Sequence, residues 1–224
     1  MARFDDTLAR ITAAAAQAGR DPADVLLLAV SKKQPLEKIR ALVERGQARF
    51  GENYVDEALE KMDALTPLEL EWHFIGPVQS NKTRALAERF DWVQSVDRAK
   101  IVRRLNDQRP ADRPPLNVLI QVNLDQETQK AGCPPDEVAA LASTIDEAPR
   151  LVLRGLMAIP APRQDPAEQQ AAFQRLRDQF DVLAREYPEV DTLSAGMTGD
   201  LEAAVVAGST MVRVGTALFG PRPE

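Results

Sequence analysis

The sequence predicts an α/β protein folded as a (β/α)₈ TIM barrel with an extra N-terminal helix. About eight short apolar segments alternate with amphipathic stretches, and they recur at intervals of roughly 20 to 40 residues. The first segment, residues 25–30, is continuously apolar, as in a strand buried on both faces of a parallel sheet. A doubly wound sheet shares this alternation, but eight units favour the barrel. We expect residues 1–224 to form a single domain.

The N-terminal stretch predicts a helix that lies outside the main unit. Phe4, Leu8, Ile11 and Ala15 follow helical spacing. Gly19 then provides a stop at the C-terminal end of the helix.

The first strand and the helix after it make one complete βα unit. Pro35 follows the strand at residues 25–30 and suits a first helical position. Leu36 and Ile39 begin an apolar stripe, and the helix is expected to end near Gly46.

The same alternation continues along the chain. The other predicted strands lie at residues 48–50, 72–75, 92–96, 117–122, 151–159, 192–194 and 211–214. The amphipathic stretches between them predict helices around residues 55–62, 85–86, 101–105, 138–145, 173–183 and 201–208. Two proline-rich loops are predicted, at 107–115 and 160–166. The second follows a strand's C-terminal end, so it is either part of a rim over a ligand or only a connection.

Composition excludes several classes of function. A formal net charge of −6 and a pI near 5.1 argue against a nucleic-acid partner, because such proteins concentrate Lys and Arg. With one cysteine, Cys133, and one histidine, His73, we predict no internal disulfide, no metal site and no Ser-His-Asp triad. No apolar run approaches the roughly 18 residues of a membrane span, and the N-terminus lacks a signal-peptide core. We expect a cytoplasmic protein with no membrane partner.

The first candidate for chemistry is the pair of lysines that follows the first strand. A lysine at the mouth of a barrel lies where ligands bind, and partial burial lowers its pKa toward that of a nucleophilic amine. Only one of Lys32 and Lys33 can point inward, because side chains alternate along a strand. The alternative is that both lysines only solvate the strand end.

The second candidate is a pair of glycine- and hydroxyl-rich loops after the seventh and eighth strands. Residues 194–200 and 215–217 bring backbone N–H groups to helix starts, where an anion is favoured. Barrels frequently hold a phosphate between these two loops. The alternative is that the glycines serve turns and Thr198 caps a helix. A reactive lysine opposite a phosphate cradle predicts a phosphorylated aldehyde, of which pyridoxal 5′-phosphate is the obvious example.

Six ordered motifs over nearly the whole chain resemble the pyridoxal phosphate homeostasis protein family, whose barrel is alanine racemase-like. They are LLLAVSK (26–32), FGENYVDE (50–57), WHFIGPVQSNK (72–82), RGLMAIPAP (154–162), LSAGMTGDLEAA (193–204) and GSTMVRVGTALFG (208–220). The chain departs from the common pattern at Lys33-Gln34, where members often carry Thr-Lys, and at Thr198-Gly199, where a Ser-x pair is commoner. Thr198 keeps the hydroxyl, so we expect cofactor binding to persist.

The resemblance implies a role for individual residues. Lys32 would hold pyridoxal phosphate as an aldimine, Asn53 would lie beside the cofactor ring, and Arg213 would face the pyridine nitrogen. The residues implied at the phosphate are Ser194, Met197, Thr198, Gly215 and Thr216.

The resemblance also implies the function. The protein would hold and deliver pyridoxal phosphate in intracellular homeostasis, with no catalytic residues and no efficient turnover. PLP-dependent apoenzymes would be its partners, and we expect a monomer. The alternative is a PLP-dependent amino-acid racemase or decarboxylase; the sequence ends at Glu224, which leaves no length for the C-terminal β domain of those enzymes. A Schiff-base aldolase acting on sugar phosphates is a third possibility.

Two further residues have open interpretations. His73 either touches the cofactor or is a satisfied structural group. Cys133 is either an oxidant sensor or, as we prefer, an inert thiol.

Overall fold

The computed structural model describes residues 2–127, 129–163 and 165–220, and within these it contains eight parallel strands that form a closed barrel. The strands are β1 (Leu26–Val30), β2 (Arg49–Glu52), β3 (Glu71–Phe74), β4 (Trp92–Val96), β5 (Leu116–Val122), β6 (Leu151–Ala158), β7 (Thr192–Ser194) and β8 (Met211–Val214).

Nine α-helices accompany the strands in the described part of the chain. They are α1 (Ala2–Gln17), α2 (Leu36–Val43), α3 (Val55–Ala64), α4 (Thr83–Arg89), α5 (Ala99–Gln108), α6 (Val138–Asp146), α7 (Pro166–Glu186), α8 (Leu201–Val206) and α9 (Thr216–Phe219). The predicted (β/α)₈ fold with an extra N-terminal helix is confirmed.

The strands pair in chain order, and β8 returns to pair with β1. This closing register places Leu26 opposite Met211 and Leu28 opposite Arg213. Because all strands run in parallel, their C-terminal ends meet at one mouth, where the βα loops carry function in barrels of this kind. The loops predicted to bind a ligand therefore share one end of the molecule.

Polar side chains occupy part of the barrel interior, whereas the layer between barrel and helices is apolar. Gln94 of β4 contacts Ser194 of β7, and these strands are not neighbours, so the contact crosses the barrel interior. His73 stacks on Trp92 with ring centroids 5.1 Å apart. All of these side chains are buried.

Helix α1 packs on the outside of the barrel, as predicted. It contacts α8 and α9, and Arg10 pairs with Glu202 of α8 at 2.6 Å. Ile11 and Phe4 are buried, but Leu8 is 39% exposed. The apolar stripe of α1 is thus narrower than its sequence spacing predicted.

Several boundaries differ from the predictions, and the largest difference is at α7, which begins at Pro166 rather than near residue 173. Pro35 precedes α2 as its N-cap residue, because the helix begins at Leu36. Helix α5 continues to Gln108, so the first two residues of the predicted loop at 107–115 belong to the helix. Pro166 is the first residue of α7 and ends the second proline-rich loop; Gln164 lies outside the described residues.

No helix in the described part of the chain is long and apolar enough to cross a membrane.

Candidate functional site

A cavity of about 270 Å³ opens at the C-terminal mouth of the barrel. It is lined by residues at the ends of β1, β2, β3, β6, β7 and β8, which the parallel topology brings together. Seven of the eight residues predicted to bind the cofactor line it: Lys32, Asn53, Met197, Thr198, Arg213, Gly215 and Thr216. Ser194 lies just behind the wall, fully buried, in contact with Arg213.

The turn after β1 separates the two lysines. Lys32 is partly buried and lines the cavity, whereas Lys33 is exposed. The backbone of Lys33 adopts a φ of +58°, and its N–H donates to Glu57 Oε1 at 2.5 Å. The turn is closed by the N–H of Gln34, which donates to the carbonyl of Ser31 at 3.0 Å. This reversal of the chain directs the first lysine inward and the second outward.

A buried ionic cluster supports this turn from behind. Lys61 Nζ donates to the carbonyl of Ser31 at 2.6 Å and to the carboxylates of Glu52 and Glu57, each at 2.7 Å. The Ser31 hydroxyl donates to Glu52 at 2.6 Å. Burial raises the pKa of Glu52, although Lys61 and Ser31 oppose that rise. No sequence pattern predicted this cluster, although Glu52 and Glu57 belong to the FGENYVDE motif and Lys61 follows it by one helical turn.

Arg213, on the strand next to the one that precedes Lys32, forms the floor of the cavity. Its Nη1 donates to the carbonyl and the hydroxyl of Ser194, both at 2.7 Å, and its Nη2 donates to the carbonyl of Ala158 at 2.9 Å. Burial lowers the pKa of Arg213 to about 10. The guanidinium therefore keeps its charge at neutral pH and offers fixed hydrogen-bond donors at this point.

The glycines of the loops after β7 and β8 lie close to neighbouring atoms, and Gly196 cannot be replaced without strain. Gly196 has a φ of +95°, and a Cβ there would lie 2.6 Å from the Cβ of Ala204. A Cβ at Gly215 would lie 3.3 Å from the carbonyl oxygen of Val30 on the neighbouring strand. The N-cap residue of α8 is Asp200, which accepts a hydrogen bond from the N–H of Met197 at 2.5 Å. The hydroxyls of Thr198 and Thr216 stand on these two loops at the cavity.

Asn53 marks the side of the cavity formed by β2. Its amide oxygen is buried and accepts no hydrogen bond from the described residues. An unpaired buried polar atom is costly, so its presence at a cavity wall indicates a site for a polar ligand. The cavity thus combines the amine of Lys32, the guanidinium of Arg213, two loops with threonine hydroxyls and the amide of Asn53. These groups fit a small, flat, phosphorylated aldehyde.

Comparison with known proteins identifies the family. The family model described as alanine racemase, N-terminal domain, matches residues 7–223. The chain belongs to this family. Within it, the chain is 56% identical over 214 residues to the pyridoxal phosphate homeostasis protein of Pseudomonas aeruginosa, covering 96% of this chain and 92% of that one. It is 52% identical over 216 residues to the protein of the same name from Escherichia coli K12, covering 95% and 92%.

Solved structures of this family share the fold. PipY of Synechococcus elongatus, without PLP, matches with a TM-score of 0.84 at 37% identity, covering 95% of this chain and 99% of PipY. The structure of PipY with PLP bound matches with a TM-score of 0.81 at 36% identity, covering 94% and 100%. An alanine racemase from Corynebacterium glutamicum matches at 18% identity with a TM-score of 0.73, covering 97% of this chain and 61% of that one, which indicates a common fold alone. The resemblance drawn from the six motifs is confirmed.

The remaining candidates lie away from the cavity of this alanine racemase-like domain. His73 is buried beneath it and bonded through both ring nitrogens, to Glu71 and Gln94, so it is a satisfied internal group. Cys133 is buried, and burial raises the pKa of its thiol to about 12, which favours the inert interpretation. The described residues contain no group of three or more His, Cys, Asp or Glu that could hold a metal ion.

Proposed function

We propose that this chain binds pyridoxal 5′-phosphate through Lys32 and takes part in intracellular pyridoxal phosphate homeostasis. The observation that carries the proposal is the cavity at the barrel mouth, because a partly buried amine and a buried guanidinium face one space between two glycine-containing loops. Relatives at 52 and 56% identity named pyridoxal phosphate homeostasis protein support it, as does the PLP-bound structure of PipY.

Each part of the cavity has a distinct task in this proposal. When bound, pyridoxal phosphate supplies an aldehyde that a primary amine can hold reversibly, and Lys32 is that amine. Arg213 would donate a hydrogen bond toward the pyridine nitrogen, and Asn53 would lie beside the ring. The loops bearing Thr198 and Thr216 hold the phosphate with backbone N–H groups and hydroxyls. Ser194 acts through Arg213, to which it is bonded.

We further propose that the protein holds and releases the cofactor without efficient turnover. Among the described residues that line the cavity, the ionisable side chains are Lys32 and Arg213. Racemisation needs a proton donor or acceptor on each face of the reacting carbon, and Arg213 stays protonated near neutral pH. One lysine can serve one face only. The lining therefore suits storage better than catalysis.

PLP-dependent apoenzymes are the proposed recipients, with the protein acting as a monomer in the cytoplasm. The mouth of the barrel carries exposed apolar side chains at Tyr54, Ile159 and Met197, which are 52, 39 and 38% exposed. Apolar side chains around an open cavity favour contact with another protein during transfer.

The proposal is tested by one sequence of measurements on the purified protein. We expect an absorbance band of bound pyridoxal phosphate, which borohydride converts into a stable adduct on a single lysine-containing peptide. Lys32→Ala should abolish the adduct, and the neighbouring Lys33→Ala is the matched control that should retain it. A fixed adduct that survives Lys32→Ala but not Lys33→Ala would overturn the assignment, and no adduct in the native protein would overturn the function.

A further inference from the structure

A chain of four hydrogen bonds runs through the barrel from the floor of the cavity to the opposite end. Arg213 Nη1 donates to Ser194 Oγ at 2.7 Å, and Ser194 Oγ donates to Gln94 Oε1 at 2.7 Å. Gln94 Nε2 lies 2.9 Å from His73 Nδ1, and His73 Nε2 lies 2.7 Å from Glu71 Oε1. Glu71 is the first residue of β3, at the end of the barrel away from the mouth.

The two ends of this chain fix its direction. A guanidinium only donates hydrogen bonds and a carboxylate only accepts them. Glu71 must therefore accept from His73 Nε2, and a neutral imidazole then accepts at Nδ1 from the amide nitrogen of Gln94. Gln94 Nε2 also donates to the sulfur of Met211 at 3.1 Å. This contact agrees with the amide nitrogen, rather than the amide oxygen, lying next to His73. The amide oxygen is left to accept from Ser194, which accepts in turn from Arg213.

The protonation states agree with this direction. Complete burial lowers the pKa of His73, although Glu71 opposes the shift, so the imidazole is neutral near pH 7. Partial burial would raise the pKa of Glu71, but its contacts with His73 and Arg49 outweigh burial, and its pKa lies below the ordinary value. Arg49 pairs with Glu71 at 3.3 Å. A carboxylate thus ends the chain that begins at a guanidinium.

We propose that Gln94, His73 and Glu71 are positioning residues for Arg213, acting through Ser194 as a one-way relay of hydrogen bonds. The relay holds the Nη1 side of the guanidinium against β7, while Nη2 donates to the carbonyl of Ala158, so the guanidinium has a fixed orientation at the cavity wall. Bonds aligned in one direction polarise each other, so the relay also links the charge of Arg213 to the carboxylate at the far end. The inference rests on the proposed function in one respect, which is that Arg213 faces bound pyridoxal phosphate.

The histidine of the relay is a reporter that needs no cofactor. His73 is the only histidine in the chain, so ¹⁵N NMR of labelled protein gives one imidazole signal pair. We expect the cofactor-free protein at neutral pH to show a proton on Nε2 and none on Nδ1. Addition of pyridoxal phosphate should move the Nδ1 resonance, because the relay connects it to Arg213. A proton on Nδ1, or a resonance that bound cofactor leaves unmoved, would overturn the proposal.

Variants of Gln94 distinguish a change in the position of Arg213 from a general loss of stability. Gln94→Leu interrupts the relay at its centre, and we expect about tenfold weaker binding of pyridoxal phosphate, a shifted absorbance maximum of the bound cofactor and loss of the NMR response. The matched control is Thr83→Val, which removes hydrogen bonds from another fully buried side chain, the first residue of α4, without touching the relay. The control should lower stability but keep the affinity, the absorbance maximum and the NMR response.

An isosteric reversal covers the case in which Gln94→Leu does not fold. In Gln94→Glu a carboxylate faces His73 Nδ1, so we expect a proton to appear there. Unchanged affinity, absorbance and His73 signals in every Gln94 variant that folds would reject the relay. Failure of the proposed function is distinguishable, because native protein would then form no borohydride-fixed adduct, whereas the His73 tautomer is measured without cofactor.

Discussion

The hydroxyl of Thr216 is a side-chain donor at the first residue of α9, on the rim of the cavity. If it bonds the phosphate, its loss removes one hydrogen bond to a charged group, which is worth about 1.5–3 kcal/mol. We therefore predict that Thr216→Val weakens binding of pyridoxal phosphate by roughly one to two orders of magnitude, as measured by fluorescence titration. Binding of pyridoxal, which lacks the phosphate, should change little.

Thr216→Ser is the matched variant, because it keeps the hydroxyl and removes only a methyl group. We expect it to bind pyridoxal phosphate much as the native protein does. Equal weakening of pyridoxal and pyridoxal phosphate by Thr216→Val would place the phosphate elsewhere.

The turn that carries Lys32 depends on Lys61, whose ammonium group donates to the carbonyl of Ser31. It is 7% exposed and pairs with Glu52, which is fully buried. Removal of one partner of a buried ion pair leaves the other uncompensated, at a cost of about 3–5 kcal/mol. We predict that Lys61→Met lowers the free energy of unfolding by that amount near pH 7, as measured by urea denaturation.

The cost of Lys61→Met should depend on pH. Burial already raises the pKa of Glu52 in the folded protein, and loss of Lys61 raises it further. A carboxyl group with a raised folded-state pKa destabilises the fold as pH rises from its unfolded pKa through its folded pKa, so the deficit should shrink on acidification. Adding Glu52→Gln to Lys61→Met should restore part of the stability at neutral pH. A deficit independent of pH would contradict this explanation.

At the scale of single elements, α1 offers a direct comparison between a buried and an exposed position. Ile11 is 3% exposed, whereas Leu8, one turn away on the same helix, is 39% exposed. We predict that Ile11→Ala lowers the free energy of unfolding by about 2–5 kcal/mol and that Leu8→Ala lowers it by less than about 1 kcal/mol. Equal losses in urea denaturation would mean that α1 does not dock on α8 and α9 in solution.

The elements themselves could be predicted because their signals are local. The run LLLAV in β1 is apolar over a strand's length, the run LNVLIQV in β5 is mostly so, and turn residues separate both from helical stripes. The errors fell where local signals are weak. Pro35 suits both the first helical position and the cap before it. Leu8 has the spacing of a core residue, although it is 39% exposed among the residues that the structure describes.

At the scale of the whole molecule, barrel closure creates contacts that no local pattern contains. The relay joins residues of β3, β4, β7 and β8, and its Ser194–Gln94 bond spans 100 positions of sequence. The loops that line the cavity could be predicted, because ordinal position in a βα series fixes which end of the barrel each loop occupies. The polar path beneath them depends on which side chains meet across the barrel, so it needed the structure. The extent of the domain, residues 1–224, stays a prediction.

The whole cavity, rather than any one residue, decides whether bound cofactor leads to turnover. Lys32 lines one part of the cavity. The other described residues that line it carry amide, hydroxyl or apolar groups, apart from Arg213. We predict that the cofactor-loaded protein, incubated with single L-amino acids, shows no sustained change of chirality and no accumulation of keto acid or amine. Racemisation needs proton transfer on both faces of the reacting carbon, which one lysine cannot complete. Formation of keto acid or amine needs the ring as an electron sink, and a ring beside Arg213 is a poor one.

The permanent charge of Arg213 acts in the same direction. A guanidinium that donates to the pyridine nitrogen disfavours its protonation, so the ring withdraws electrons less strongly than it would beside a carboxylate. This effect alone does not decide the outcome, because it slows chemistry without preventing it. Multiple turnovers per molecule, followed by chiral chromatography and abolished by Lys32→Ala, would establish a racemase or decarboxylase in place of a homeostasis protein. Traces of product that persist in Lys32→Ala would instead be assigned to free pyridoxal phosphate.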